Sequence, residues 1–263
     1  MRKITLLLTV FLAFSFASSA FAVDSIDCWF PPGWKAKGQE AKAITDALSS
    51  AGVTVKPRIA KSYPEILGAF SSGQPSLVYV GSFVQAIINA RSLGVPLAQK
   101  VDGKEYYSGV LIYPEGQDPA AILKNSPGAI AYAVGASSGE SSAKAATGGK
   151  ASIGTPNHGA SIGAVKAGKA KAAVVKNWWW EGNKDKYPDM TMYKIPGVSE
   201  EKNPDNVLTA SNAVPADIRK KLADTAMASS AFGGKMQAFD VGRIGFSVEL
   251  MKKGNIDPMT YSW

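Results

Sequence analysis

Ser137, Ser138 and Gly139 follow an apolar stretch, Ala129–Val134, and open a run of helix-forming residues. His158, the sole histidine, opens the next such run after the turn Thr155-Pro156-Asn157. Hydroxyls, backbone N–H groups and an imidazole at two helix N-termini suit capture of an oxyanion. The N–H groups there lack intrahelical partners, and the helix dipole favours negative charge. The same residues have a plainer use. Ser137 and Glu140 have capping-box spacing, in which the serine accepts from the Glu140 N–H and Glu140 reaches back to the serine N–H. Both readings stay open on the residues alone. A Walker-type phosphate loop is excluded, because Gly-x4-Gly-Lys-Ser/Thr does not occur. One histidine and one distant cysteine leave a transition metal without a ligand set, so neither metal nor cofactor is expected.

Aromatic residues supply further donors and surfaces. Tyr63, Tyr106 and Tyr107 carry phenolic hydroxyls beside apolar segments. Trp178, Trp179 and Trp180 are consecutive and cannot share one buried face, so at least one is expected at a cleft or a partner surface. Glu181 beside them has the charge to pair with a ligand amine. Lys166, Lys169 and Lys171 read as a solvated helix face and turn.

These residues need elements to position them. The expected strands are Ser25–Phe30, Val53–Pro57, Leu77–Val80, Tyr106–Tyr113, Ala129–Val134, Lys171–Val175 and Val207–Ala210. The expected helices are Gln39–Ser50, Tyr63–Phe70, Val84–Ala90, Pro119–Lys124, one from about Ser138, His158–Ala167, Pro215–Ser229 and Gly245–Lys253. Asn177–Pro204 reads as loop. Short apolar strands alternating with helices indicate parallel α/β layers. There is also an internal echo. Tyr63 and His158 each lie ten residues before a glycine (Gly73, Gly168) that leads into a buried strand. Two similar α/β halves would set these two residues in equivalent positions across a cleft.

Met1–Ala22 has the pattern of a secretory signal: Arg2 and Lys3, an apolar core, and Ala20-Phe21-Ala22 as the cleavage site. An exported protein starting at Val23 is expected, with about 240 residues, enough for one large domain or two lobes. The formal charge is +8, or +6 without Arg2 and Lys3. A basic balance suits an anionic ligand; scattered lysines and export argue against nucleic acid. The single cysteine, Cys28, sits in an apolar strand and reads as a buried thiol.

Several segments, taken in order, resemble the phosphate/phosphite/phosphonate-binding proteins of ABC importers. They are Tyr63-Pro-Glu-Ile-Leu with Gly73 and LVYVGSF, Tyr106-Tyr107-Ser108-Gly-Val-Leu-Ile, Ala136-Ser137-Ser138-Gly139, and His158-Gly-Ala-Ser-Ile-Gly-Ala-Val-Lys-Ala-Gly168. The resemblance spans about Ser25 to Ala228. It implies a two-lobed type II periplasmic-binding-protein fold with two crossover hinge strands. Residues 23–110 would begin lobe 1, 111–205 form lobe 2, and 206–263 return to lobe 1 with the C-terminal helices. It also implies that Tyr63, Tyr106, Ser137, Ser138 and His158 bind the oxyanion, with Tyr107, Gly139, Trp178 and Glu181 as further candidates. Glu181 and Asp205 are the carboxylates available for an aminoalkyl group. Ala136 stands where the family has its first loop serine, and Lys171 where an acidic residue is frequent. The expected function is a monomeric, non-enzymatic periplasmic protein that hands a small oxyanion to an ABC permease. A sensor of the same fold that partners a membrane histidine kinase is the alternative, and an exported hydrolase using Ser137 or Ser138 with His158 is a third.

Overall fold

In the computed structural model, which describes residues 23–262, the short apolar runs become strands and the amphipathic runs between them become helices. The leader expected over Met1–Ala22, with its cleavage site, lies outside the described residues. The first sheet takes β1 (Ser25–Phe30), β2 (Thr54–Ile59), β3 (Ser76–Val80) and β4 (Gly94–Lys100). They are joined by α1 (Gly38–Ser49), α2 (Tyr63–Ser71) and α3 (Ser82–Ala90). The chain crosses as β5 (Tyr106–Tyr107) and enters a second sheet as β6 (Gly109–Pro114). There follow α4 (Pro119–Asn125), β7 (Ile130–Ala133), α5 (Ser138–Thr147), β8 (Ile153–Thr155) and α6 (His158–Lys166). Then come β9 (Ala172–Lys176), the short α7 (Asn177–Glu181) and β10 (Met190–Tyr193). The return strand β11 (Asn203–Pro204) pairs antiparallel with β5. The chain re-enters the first sheet as β12 (Val207–Ser211) and finishes with α8 (Ala216–Ala228), β13 (Met236–Ala238) and α9 (Gly245–Lys253).

Strand order is β13-β4-β12-β3-β1-β2 in the first sheet and β10-β6-β9-β7-β8 in the second. Apart from β13 the two orders repeat one pattern. Three parallel strands (β3-β1-β2 and β9-β7-β8) lie beside an antiparallel strand that has crossed over from the other lobe. That strand is β12 in the first sheet and β6 in the second, and this exchange joins the lobes through the β5–β11 ladder. The echo between Tyr63 and His158 is thus a topological one: α2 runs from β2 into β3, and α6 from β8 into β9.

Three expectations need correction. The layers are mixed rather than all parallel, because each sheet accepts a reversed strand. The strand expected over Tyr106–Tyr113 is two strands broken at Ser108, since Tyr106 and Tyr107 pair with β11 while Gly109 onward pairs with β9. Asn177–Pro204 is not all loop but contains α7, β10 and β11. β4 was not expected, because Pro96 interrupts its pattern; the register against β12 shifts at that point, which spares the missing N–H. The core forms where the helices turn their apolar faces to the sheets, with Ile44, Leu48, Ile66, Leu67 and Phe70 all buried. Cys28 is fully buried, and burial with the neighbouring Asp27 charge pushes its thiol pKa up. α9 packs on α3 of the first lobe and on α5 of the second.

Candidate ligand-binding site

The pocket at the seam of the lobes lies at the carboxyl ends of parallel strands, where open α/β sheets place their ligands. Pro31, Tyr63, Gly81, Phe83 and Val84 line it from the first lobe. Ala136, Ser137, Ser138 and Lys176 line it from the second, and Tyr107 and Asp205 at the crossing strands. Its empty volume, mouth included, is about 310 Å³. Part of that is open solvent at the mouth, so the enclosed space is smaller and suits a ligand of few heavy atoms.

The wall from the second lobe is built by an unusual loop. Gly135 and Ala136 both have left-handed backbones, with φ of 96° and 55°. Ala136 is buried without any gain from a side-chain donor, so this conformation is sustained by what holds its amide. Glu140, itself buried, accepts from the Gly135 and Ala136 N–H groups at 2.9 and 2.8 Å. The Tyr261 hydroxyl donates to the same carboxylate oxygen at 2.6 Å and accepts from both amides at 3.0 Å. The capping box is therefore half formed. Ser137 Oγ accepts from the Glu140 N–H at 3.1 Å, but Glu140 passes over the Ser137 amide to the two before it. Among the described residues the amides of Ser137, Ser138 and Gly139 meet no acceptor, and they are the open donors of the α5 N-terminus.

Gly135-Ala136-Ser137-Ser138-Gly139 spells Gly-x-Ser-x-Gly, yet the geometry is not that of a nucleophile. Ser137 Oγ donates its proton to the Ala133 carbonyl. The imidazole lies instead beside Ser138, with Nε2 at 3.4 Å from Oγ. Its Nδ1 is buried without a hydrogen-bond partner, so no carboxylate orients the ring as a triad requires. Burial, and then the Lys176 charge, hold the His158 pKa down at about 3, so the ring is neutral.

The sequence-selected residues separate in space. Tyr63, Tyr107, Ser137 and Ser138 line the pocket. Burial and then the Asp205 charge raise the pKa of both tyrosines, which keeps them protonated as donors. His158 lies behind Ser138, against the Trp179 ring at 5.7 Å. Tyr106 occupies the opposite face of β5 and is not among the lining residues, as the alternation of a strand dictates. Gly139 sits behind the wall, where a Cβ would strike the Val174 carbonyl. Trp178 packs edge-on to Tyr107 at 6.5 Å, whereas Trp180 is buried and stacks on Tyr187 at 6.2 Å. Glu181 is exposed, paired with Lys184 at 2.8 Å, and lies away from the pocket.

Lys176 was not anticipated. It ends β9 and forms an ion pair with the buried Asp205, its ammonium 4.6 Å from the Tyr107 ring centre and 4.9 Å from that of Trp178. The available signal was a lysine closing a wholly apolar strand, at the strand end where ligands bind. Gly81 makes room for this group, since a Cβ there would press on Asp205 and Tyr107.

A family model described as the periplasmic substrate-binding protein of phosphonate ABC transporters matches residues 39–239. The chain belongs to that family. Its members are non-enzymatic solute-binding proteins of the periplasm, in keeping with the incomplete Ser–His pair. The fold is also that of PhnD1 from Prochlorococcus marinus, solved in complex with methylphosphonate. The TM-score is 0.66 at 15% identity, over 88% of this chain and 98% of that one. A binding protein component of an ABC phosphonate transporter from Pseudomonas aeruginosa aligns with TM-score 0.70 at 17% identity, over 88% and 87%. A Xanthomonas citri protein bound to ATP aligns with TM-score 0.63 at 9% identity, over 88% and 97%. No curated protein matches the sequence.

Proposed function

We propose that the protein captures a small oxyanion of the phosphonate, phosphite or phosphate type between its lobes and delivers it to an ABC permease. The observation that carries this is one pocket lined together by Tyr63 and Tyr107 and by Ser137 and Ser138 at the α5 N-terminus. Two neutral donors and a helix N-terminus can surround an oxyanion from opposite lobes, and closing the lobes over it strengthens every contact by excluding water. Export and delivery in the periplasm agree with the family and with the leader pattern of Met1–Ala22. Titration calorimetry of the mature protein against phosphate, phosphite, methylphosphonate and aminomethylphosphonate tests the reading. Saturable binding of at least one is expected, and binding of none overturns it.

A further inference from the structure

A carboxylate next to aromatic faces is a receptor for an ammonium group, through charge on one side and ring quadrupoles on the other. Asp205 and Tyr107 in the pocket lining, with Trp178 packed against Tyr107, form such a receptor. It is already filled by the chain's own Lys176, which pairs with Asp205 and lies over both rings. The acid and the Tyr107 ring are also held close to the backbone at Gly81. We propose that Lys176 is a specificity-determining residue, an internal cation that occupies the amine site so that the pocket admits oxyanions with small uncharged substituents and rejects those bearing an ammonium. The proposal rests on the oxyanion reading above.

The physical reason is that a ligand ammonium entering this cleft has two courses. It can settle beside Lys176, placing like charges together in a poorly solvated space, or it can displace Lys176 and strand it without its carboxylate. An uncharged methyl or ethyl group meets neither penalty, and Phe83 and Val84 in the lining give it apolar contact. The departure of Lys176 from Asp205 would also expose the rings that now cover its stem.

Calorimetry with ethylphosphonate and aminomethylphosphonate, which match in length and differ in the ammonium, decides it on the unaltered protein. Ethylphosphonate is expected to bind at least about tenfold more tightly. Equal affinity, or preference for the amine, overturns the proposal while leaving the oxyanion reading intact. Failure of every phosphonate and of phosphate to bind overturns both. A Lys176→Met variant frees Asp205 and is expected to gain at least about tenfold for aminomethylphosphonate relative to the parent. Lys176→Met combined with Asp205→Asn, which leaves no buried charge unpaired, is expected to lose that gain. A gain that survives in the double variant overturns the assignment of Asp205 as the amine's partner.

Discussion

At the scale of single residues, the two loop serines have different duties. Ser137 is spent on structure: its hydroxyl donates to Ala133 and caps α5 at Glu140. Ser137→Ala is expected to cost about 1 kcal/mol in stability, read as a fall in melting temperature of about 2 to 4 °C. Ser138 lines the pocket and is also the hydrogen-bond partner of the buried His158 ring, so Ser138→Ala is expected to cost about 1 kcal/mol, a fall in melting temperature of about 2 to 4 °C. It should weaken oxyanion binding by about ten- to a hundredfold, the value of a hydrogen bond to a charged group. His158 sets a pH limit on stability. Its folded pKa of about 3 lies below the value near 6.5 of an unfolded chain. Below pH 6.5 the unfolded state takes up a proton that the folded state refuses, and stability falls as pH drops toward 3. The slope is up to about 1.4 kcal/mol per pH unit, and it should be absent from the denaturation profile of His158→Gln.

The elements explain why the loop holds its shape. The left-handed backbone at Ala136 costs energy that Gly135 escapes, and the Glu140 carboxylate with the Tyr261 hydroxyl offsets it by taking both amides. Tyr261 reaches the loop from the segment after α9, whose Pro258 and Tyr261 carbonyls are tied to Arg91 at the end of α3. The tail thus links the first lobe to the ligand wall of the second. Tyr261→Phe removes the hydrogen bond to the buried carboxylate and the acceptor shared by both amides. It is expected to cost about 1.5 to 3 kcal/mol in denaturant unfolding, with binding weakened as the loop amides lose their register. Most of these elements were legible in the chain, because helices such as Tyr63–Ser71 and Gly245–Lys253 show their apolar face locally. The exceptions include β4 with its proline, the divided strand at Ser108 and the short strands β8, β10, β11 and β13, all decided by pairing partners distant in sequence.

Across the whole molecule, the proposed function depends on the lobes meeting. Gly135 sits at their contact: a Cβ there would collide with Tyr63 and Pro64 of the opposite lobe. Gly135→Ala is therefore expected to prop the cleft open. Binding should weaken by at least about tenfold, and small-angle scattering with ligand should show a larger radius of gyration than the parent. An unchanged affinity would show that closure does not bring these surfaces together.

The sequence by itself determined the two α/β halves, the hydroxyl-rich helix start at Ser137 and Ser138, the equivalence of Tyr63 and His158, and the family resemblance. Each is written in local spacing or in a short motif. Only the tertiary structure decided which tyrosine of the pair Tyr106-Tyr107 faces the pocket, where Glu140 sends its carboxylate, and that Lys176 finds Asp205. The face that β5 turns to the cleft and a loop's path set the first two. The third joins residues 29 positions apart across the crossing strands, and the attraction between them acts only once both lobes have folded around it.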